Sequence, residues 1–339
     1  MIRNGQEIRK LFKAFGKLNV LVAGDVMIDA YLWGKVERIS PEAPVPIVSV
    51  HRRESLLGGA ANVALNLKAL GANPILCSVI GEDARGNEFL NLLKKEGLDT
   101  SGICHSTERI TTTKFRIIGN KAQMLRVDEE IDTDLNSADT VKLLNSITSI
   151  INNKGIDVII LQDYNKGVLT AESISKILTE AQKKKIPVAV DPKKANFDEY
   201  RGISLFKPNL KELREGLKID IEPGNTSQLL NAIDKLHEDQ SIETILTTLS
   251  EAGVLVSRLK NGEPREVVNI PAHIRSIADV SGAGDTVISV AALCLALGTT
   301  AHELAVISNL AGGLVCEHIG VVPVDKEKLL SEILALANL

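Results

Sequence analysis

The sequence is poor in aromatic residues and has no marked surplus of either charge. Aromatic residues make up 3% of its 339 residues, and the formal net charge is −4. Proteins that bind nucleic acid usually combine a basic surface with aromatic rings for base stacking, so nucleic acid is not an expected partner. The densest basic run, Lys183-Lys184-Lys185, closes a predicted helix, where the helix dipole favours cations.

Cysteine pairs and long apolar runs are also missing. Cys77, Cys104, Cys294 and Cys316 show neither CxxC spacing nor a paired histidine, so we expect free thiols in a reducing compartment. The longest apolar run, Val287–Leu297, is too short to cross a bilayer, and the N-terminus has no apolar leader segment. A cytoplasmic protein without a membrane partner is therefore expected.

Two common nucleotide-binding motifs are absent. The chain contains no GxxxxGK[ST] phosphate loop, and no GxGxxG follows its first predicted strand. These absences count against nucleotide binding of the P-loop or Rossmann type.

Short apolar runs alternate with helical segments along most of the chain. Val20–Gly24 has the pattern of a buried first strand, and from residue 137 strands and helices follow each other regularly. This alternation predicts a three-layer α/β fold around a mainly parallel sheet. Two β-rich segments, about 31–50 and 111–128, interrupt it and predict a small β lid on a single domain spanning 1–339. The second reads as a hairpin with the loop Gly119-Asn120-Lys121.

The stretch from Asp279 to Thr286 carries the strongest chemical signal. Ser281 is a predicted N-cap, and Gly282-Ala283-Gly284 leaves bare backbone amides at the start of an apolar helix, which is a favourable anion site. Asp285 lies in the same first turn. An anion hole beside a carboxylate suits phosphoryl transfer to a hydroxyl, although a plain tight loop with a dipole-favoured Asp would have the same sequence.

Polar residues that could meet a sugar follow the first strand and a glycine pair. Asp29 could accept hydrogen bonds from hydroxyls, or it could be a solvated turn residue. Gly58-Gly59 would let a ligand approach the backbone closely, and Asn62 can both donate and accept one turn later.

Candidate nucleotide and magnesium contacts follow other predicted strands. Asn209 and Glu212, with Leu210 and Lys211 between them, could hold a water shell around Mg²⁺, or could simply form a helix capping box. The turn Ser250-Glu251-Ala252-Gly253 could touch phosphate. Lys166 and Lys193 each follow a predicted strand and could bind phosphate at the same rim.

Together these motifs resemble the ribokinase-like (PfkB) family of carbohydrate kinases over essentially the whole chain. Asp279–Thr286 and Gly58–Gly71 resemble the family's two signatures, and Lys207-Pro208-Asn209 with Glu212 resembles its Asn-x-x-Glu motif. The resemblance implies a ribokinase-like fold that uses ATP and Mg²⁺, with a monovalent cation left open. It also implies a role for each matching residue: Asp285 as catalytic base; Gly282, Ala283 and Gly284 as anion hole; Asp29, Gly59 and Asn62 at the sugar; Asn209–Glu212, Ser250–Gly253 and the helix of Asn309 at the nucleotide. The family often has Gly at the position of Ser250.

Within the family, the chain looks similar to the D-glycero-D-manno-heptose 7-phosphate kinases. The residues carrying this likeness are Glu37–Pro46, Gln123–Asp128, Asp163–Gly167 and Asp191–Lys193. It implies phosphorylation of the anomeric hydroxyl of a heptose 7-phosphate, for lipopolysaccharide precursor synthesis. Relatives often carry an adenylyltransferase half with a HxGH motif, which is not expected here because His318-Ile319-Gly320-Val321 is only a near match.

A sugar that already carries phosphate needs cations at its far end. Lys114, Arg116 and Arg126 in the second lid segment are the candidates, although outward-facing charges on a lid strand would look the same. A homodimer joined through the lid is also expected. The alternatives are a family kinase for an unphosphorylated sugar or a nucleoside, and a catalytically silent sugar or nucleotide sensor on the same scaffold.

Overall fold

A computed structural model describes residues 4–120, 122–222, 224–260, 262–273 and 275–337. Lys121, in the predicted hairpin loop, lies outside these residues. The described strands are β1 Asn19–Gly24, β2 Val26–Ile39, β3 Pro46–Gly59, β4 Asn73–Gly81, β5 Ile103–Ser106, β6 Thr113–Gly119, β7 Ala122–Glu129, β8 Val158–Gln162, β9 Val188–Asp191, β10 Leu205–Phe206, β11 Thr244–Thr248, β12 Val254–Arg258 and β13 Glu266–Ile270. The described α-helices are α1 Gly5–Phe15, α2 Ala60–Ala69, α3 Ala84–Lys95, α4 Ser137–Asn153, α5 Ala171–Lys184, α6 Leu210–Leu217, α7 Thr226–Gln240, α8 Ala283–Ala296, α9 Ala301–Val315 and α10 Lys326–Ala337.

The larger sheet has nine strands in the order β13-β12-β11-β10-β9-β8-β1-β4-β5. Neighbouring strands from β5 to β11 pair in parallel, whereas β12 and β13 are antiparallel. The predicted three-layer fold with a mainly parallel sheet is confirmed. The sequence does not predict strands β5 and β13. Both are short, partly exposed edge strands, and their polar residues break the apolar pattern.

Both faces of this sheet are buried, which explains the continuous apolar run in β1. Val20 and Val22 face a core that includes residues of α1, α2, α8 and α9, while Leu21 and Ala23 face the core under α4, α5 and α7. Side chains alternate between the two faces of a strand, so all four residues from Val20 to Ala23 face a core and must be apolar, whereas Asn19 at the start of β1 is only half-buried. Helix α8 is enclosed nearly all round in the first core, which accounts for its mostly apolar sequence.

The second sheet has four strands in the order β3-β2-β6-β7, and we call it the lid. Only Asp25 separates β1 from β2, so the chain passes straight from the main sheet into the lid. Strand β2 pairs antiparallel with β3 and in parallel with β6. Both predicted β-rich segments lie in this sheet, but β2 and β3 extend further than the predicted 31–50.

The predicted placement of Asp29 is wrong. Asp29 was expected just past the carboxyl end of the first strand, but it lies within β2, opposite Leu56 of β3 and Lys114 of β6. The apolar residues that flank Asp29 continue the β ladder without a turn. Asp29 therefore reaches the site from the lid.

Gly24 ends β1 where this strand packs closely against β8. A Cβ at this position would lie 2.0 Å from the carbonyl oxygen of Gln162. We expect Gly24→Ala to lower the free energy of unfolding by about 1–3 kcal/mol, because two backbones would have to separate. Urea unfolding midpoints would measure the change.

Gly16→Ala is the matched control, since its added Cβ would meet the nearest atoms at an ordinary 3.5 Å. Its unfolding free energy should change by less than about 0.5 kcal/mol. Equal midpoints for the two variants would contradict the close packing of β1 on β8.

Candidate active site

The candidate site lies at the carboxyl ends of the central parallel strands. Strand β1 has β8 on one side and β4 on the other, so the chain's direction of winding changes at β1. Open α/β sheets bind ligands at such a point. Gln162 ends β8, Asp191 ends β9 and Lys207 follows β10, so their side chains converge beside the first turn of α8.

The first turn of α8 presents the predicted anion hole. The N-cap is Gly282, which has φ +79° and ψ −3°. A Cβ at this position would lie 2.9 Å from Asn62 Nδ2, so glycine suits both the backbone conformation and the space. Ser281 is not the N-cap, contrary to the sequence analysis. Its hydroxyl donates to Asp279 Oδ1 at 2.8 Å, because the left-handed turn at Gly282 starts the helix one residue later.

The amides of this turn are partly available to a ligand. Ala283 N–H donates to the Val280 carbonyl at 3.3 Å, whereas the amides of Gly284 and Asp285 have no acceptor among the described residues. Gly282, Ala283 and Gly284 are half-buried. The turn is therefore only partly covered, and two of its amides are unpaired within the described part of the chain.

Asp285 lies directly behind these amides and is buried, with 4% of its surface exposed. Its Oδ2 accepts a hydrogen bond from Asn62 Nδ2 at 2.7 Å. Its Oδ1 accepts two, from the Tyr164 hydroxyl at 2.7 Å and from Gln162 Nε2 at 3.1 Å. Burial raises the pKa of Asp285 to about 7, against the bonds from Asn62 and Tyr164, which lower it. A carboxylate with this pKa suits general-base catalysis near neutral pH.

A buried ion pair adjoins this carboxylate. Lys207 Nζ lies 3.0 Å from Asp191 Oδ1, and both residues are buried. Gln162 Nε2 also donates to Asp191 Oδ2 at 3.1 Å, which links Asp191 to Asp285. A Cβ on Gly284 would lie 3.6 Å from Lys207 Nζ, so the ammonium group lies against the first turn of α8.

Four residues of this network were not singled out as site residues from the sequence: Gln162, Tyr164, Asp191 and Lys207. The available signal was their position, since each ends a buried strand or follows one closely. Gln162 has the weakest sequence signal, because it is the last residue of an otherwise apolar strand.

The predicted sugar-binding residues meet at the junction of the lid with α2. Asn62 is completely buried in the first turn of α2 and contacts Asp285. Asp29 is buried and forms an ion pair with Arg116. A Cβ on Gly58 would lie 2.6 Å from Asp29 Oδ2, and one on Gly59, where φ is +61°, would lie 2.4 Å from the Asp25 carbonyl oxygen. Gly58 therefore makes room for the Asp29 side chain within the lid, and Gly59 lets the start of α2 approach Asp25, which links the lid to the core.

The three predicted lid cations all have carboxylate partners. Lys114 Nζ lies 3.0 Å from both Asp128 Oδ2 and Glu130 Oε2. Arg126 Nε lies 3.0 Å from Asp128 Oδ1, and the Arg116 guanidinium lies over the Tyr31 ring at 5.3 Å.

Two aromatic residues on β2 contribute buried donors beside these cations. Asp29, Tyr31 and Trp33 alternate along the strand and so share one face of the lid. The Tyr31 hydroxyl and Trp33 Nε1 are buried without a hydrogen-bond partner in the described part of the chain. Unpaired buried donors are costly, so an oxygen-rich ligand would fit this face.

The predicted nucleotide motif at α6 forms a capping box. Asn209 N–H donates to Glu212 Oε2 at 2.9 Å, and Glu212 N–H donates to Asn209 Oδ1 at 2.8 Å. Glu212 Oε1 also pairs with Lys193, whose Nζ lies 5.5 Å from the Tyr164 ring centre. Burial acts to lower the pKa of Lys193, but Asp191 and Glu212 outweigh it and raise that pKa. Leu210 is half-buried and Lys211 is exposed.

The remaining nucleotide candidates cluster around the end of β11. Asn209 bridges to Thr248, which places the α6 start beside the turn that contains Ser250 and Glu251. Ser250 has φ +54°, a conformation that favours glycine and agrees with the glycine that the family often has there. A Cβ on Gly253 would lie 2.1 Å from the Ile270 carbonyl oxygen, and Asn309 Nδ2 donates to the adjacent Pro271 carbonyl at 2.9 Å.

Comparison with known proteins identifies the family of this chain. The family model described as pfkB family carbohydrate kinase matches residues 17–328. The chain belongs to the pfkB family of carbohydrate kinases. This pfkB-family enzyme is thus a phosphotransferase that acts on a sugar.

Curated relatives include the Bifunctional protein HldE of two bacteria. The protein from Geobacter sulfurreducens is 36% identical over 328 residues, covering 97% of this chain and 65% of the relative. The protein from Helicobacter pylori strain J99 is 41% identical over 310 residues, covering 91% of this chain and 65% of the relative. The pfkB-family chain therefore spans about two thirds of the length of these relatives.

Solved structures share the fold of this pfkB-family kinase. Escherichia coli phosphofructokinase-2 in complex with potassium has a TM-score of 0.77 at 17% identity, covering 95% of this chain and 99% of that one. Arabidopsis thaliana ribokinase complexed with ribose and ATP has a TM-score of 0.68 at 18% identity, covering 92% of this chain and 98% of that one.

Among the described residues, no helix combines the length and apolarity required to cross a membrane.

The Lys207–Asp191 pair should be important for stability. Lys207→Met keeps the side-chain volume but leaves the buried Asp191 carboxylate without its cation, and we expect a loss of about 3–5 kcal/mol in unfolding free energy. Lys211→Met is the matched control, because the Lys211 side chain is 81% exposed and lies 3.8 Å from Glu215. Chemical denaturation should show a change within about 0.5 kcal/mol for the control. Similar values for both variants would contradict a dependence of Asp191 on Lys207.

Proposed function

We propose that this kinase transfers the γ-phosphoryl group of ATP to the anomeric hydroxyl of D-glycero-β-D-manno-heptose 7-phosphate. The product would be the 1,7-bisphosphate, a precursor for ADP-heptose and the lipopolysaccharide core. One observation carries the catalytic part of the proposal: a buried carboxylate with a pKa of about 7 lies behind the open amides of a helix N-terminus. The heptose is supported by identities of 36% and 41% to HldE proteins and by the lid motifs Glu37–Pro46 and Gln123–Asp128.

In the proposed reaction, Asp285 accepts the proton of the sugar hydroxyl while the hydroxyl oxygen bonds to the γ-phosphorus. The bond from that phosphorus to the oxygen bridging it to the β-phosphate breaks, and ADP leaves. Phosphoryl transfer has a loose transition state, so positioning and charge stabilisation contribute most of the rate enhancement. The amides of Gly282, Ala283 and Gly284 and the ammonium group of Lys207 supply positive potential where this charge lies.

The sugar would lie between α2 and the lid. Asn62 and Asp29 are placed to bond its hydroxyls, with Gly58 and Gly59 giving close access to the backbone. Its 7-phosphate would be bound by Lys114, Arg116 and Arg126, whose present carboxylate partners would exchange for phosphate oxygens. The unpaired donors of Tyr31 and Trp33 support an oxygen-rich substrate on this face.

The nucleotide would lie along the ends of β9 to β12. Its proposed contacts are Lys193, Asn209, Leu210, Lys211, Glu212, Ser250, Glu251, Gly253 and Asn309. The clustering of the α6 start, the β11–β12 turn and the Pro271 segment supports this assignment.

Magnesium is the proposed metal cofactor. Among the described residues, no group of three or more His, Cys, Asp or Glu side chains is placed to hold a metal ion. Magnesium bound through phosphates and water needs only one nearby carboxylate, and Glu212 fits because its Oε1 pairs with a lysine side chain that phosphate could attract away. When bound, the metal would neutralise charge on the transferred phosphoryl group. A monovalent cation is a further candidate ligand.

An acceptor screen tests the proposed substrate. With MgATP, we expect the highest kcat/KM for heptose 7-phosphate and much lower values for ribose, adenosine and fructose phosphates. A comparable rate with an unphosphorylated sugar would overturn the heptose assignment and favour another sugar or nucleoside kinase of this family.

Asp285→Asn is the control in the same screen. It should lower turnover by about 10²–10⁴ with ATP binding retained, since only the proton acceptor is lost. Unchanged turnover would remove Asp285 as the base. An absence of turnover by the wild-type protein with every acceptor would favour a sugar or nucleotide sensor.

We also propose that the lid joins two copies of this chain. Apolar side chains are exposed along its strands and the β2–β3 connection: Ile39, Val45, Val50, Met124, Leu125 and Val127. Exposed apolar groups at this density on one small sheet are typical of an interface. A second copy of the same lid would bury them.

Leu125→Asp tests this interface. Light scattering after size exclusion should show a dimer for the wild type and a monomer for the variant, because a charge would be buried without a partner. Val141→Asp on α4 is the matched control, since Val141 is 54% exposed and Leu125 is 55% exposed. A monomeric wild type, or equal dissociation of both variants, would refute the lid dimer.

A further inference from the structure

The carboxylate of Asp285 has an unequal set of hydrogen bonds. Oδ1 accepts two hydrogen bonds, from the Tyr164 hydroxyl at 2.7 Å and from Gln162 Nε2 at 3.1 Å. Oδ2 accepts one, from Asn62 Nδ2 at 2.7 Å. Each carboxylate oxygen can accept about two hydrogen bonds. Oδ1 is therefore saturated, and the remaining acceptor position is on Oδ2.

The orientation of the Gln162 amide follows from its neighbours. Its Nε2 lies 3.1 Å from both Asp285 Oδ1 and Asp191 Oδ2. Only the NH₂ end can donate to two carboxylates, so the amide oxygen must point away from them. Gln162 thereby bonds to the same Asp285 oxygen as Tyr164.

Hydrogen bonds to Asp25 fix the loop that carries Tyr164. The buried carboxylate of Asp25 accepts hydrogen bonds from the amides of Tyr164 at 2.8 Å, Lys166 at 3.1 Å and Val168 at 3.1 Å. A Cβ on Gly167 would lie 2.1 Å from the Thr133 carbonyl oxygen, so the loop also packs tightly against the backbone at Thr133. Core contacts therefore fix the loop, and Lys166 also pairs at 2.7 Å with Glu130, which directly follows β7 of the lid.

We propose that Tyr164 is a positioning residue for Asp285, and that Oδ2 is the oxygen that receives the proton of the acceptor hydroxyl. The assignment rests on the proposed function of Asp285 as base. By occupying Oδ1 together with Gln162, the phenol fixes the carboxylate plane and leaves the open acceptor position on Oδ2, the oxygen that also accepts from Asn62. The hydroxyl proton then passes to Oδ2 as the sugar oxygen bonds to the γ-phosphorus and ADP departs.

The electrostatic surroundings agree with this role. The charged and titratable groups that face Asp285 are Asp191 from β9, Lys207 after β10 and Tyr164 after β8; α2 contributes the neutral Asn62. Burial and the charge of Asp285 raise the pKa of Tyr164 well above its usual value, so the phenol stays protonated and donates. Its hydrogen bond favours the ionised form of Asp285, and removing the bond must raise the pKa of that carboxyl.

Tyr164→Phe tests the proposal, because it removes the hydroxyl and keeps the ring. The base must be ionised to act, so the acidic limb of log kcat/KM should move up by about one pH unit. At pH 6 the variant should be about tenfold slower than wild type, while at pH 9 the loss should be small. The KM for the sugar phosphate should change little, because Tyr164 bonds to the base.

Tyr200→Phe is the matched control. Tyr200 is buried, and its hydroxyl donates to the Asp163 carboxylate at 2.8 Å, so the same group is deleted without touching Asp285. Both variants should lose thermal stability, but the control should keep the wild-type pH profile. Should Tyr164→Phe not fold, Gln162→Met removes the other donor to Oδ1 and should move the acidic limb in the same direction.

The outcomes separate the inference from the function on which it rests. An active wild type, an inactive Asp285→Asn and an unmoved pH profile in folded Tyr164→Phe would refute the positioning role alone. An active Asp285→Asn would refute the proposed base, and the positioning role with it. Equal shifts in Tyr164→Phe and Tyr200→Phe would point to a general loss of packing and would also refute the inference.

Discussion

Burial of the Asp285 carboxylate is the constraint around which the candidate site is arranged. A carboxylate removed from water is stabilised only if its oxygens find donors, and here they come from α2 and from the carboxyl end of β8. Three separate parts of the chain must meet within hydrogen-bonding distance, so the core cannot shift without changing the surroundings of Asp285. The remaining cost of burial appears as a raised pKa, which places the carboxyl near neutrality.

A second buried pair extends this arrangement towards β9 and β10. Asp191 and Lys207 neutralise each other beside α8, and Gln162 connects them to Asp285. The ammonium group can therefore lie next to the helix N-terminus without being an uncompensated buried charge. The positions of these two charges beside α8 are therefore fixed by contacts within the protein.

The lid approaches the same point from the other side. Its first strand leaves the main sheet after a single residue, and Asp25 between them binds the loop that carries Tyr164. Asp29 and Arg116 pair within the lid, above the glycine pair that precedes α2. The proposed substrate contacts of the lid and the proposed catalytic groups of the core are thus joined through one short segment, residues 24–29.

The local sequence pattern determined much of the secondary structure of this protein and its mainly parallel sheet. The apolar run of β1 and the strand and helix alternation after residue 137 predicted the parallel sheet, and the glycines at 282 and 284 predicted a helix start there, because buried strands and helix starts restrict which residues they can contain. The sequence also placed Asp285, Asn62 and Glu212 on helix first turns. It could not show that Asn62, Gln162 and Tyr164 share one carboxylate, or that Lys207 pairs with Asp191, since these contacts join residues far apart in the chain. Tertiary structure alone decided them, because hydrogen bonding and desolvation depend on distances that only the folded core sets.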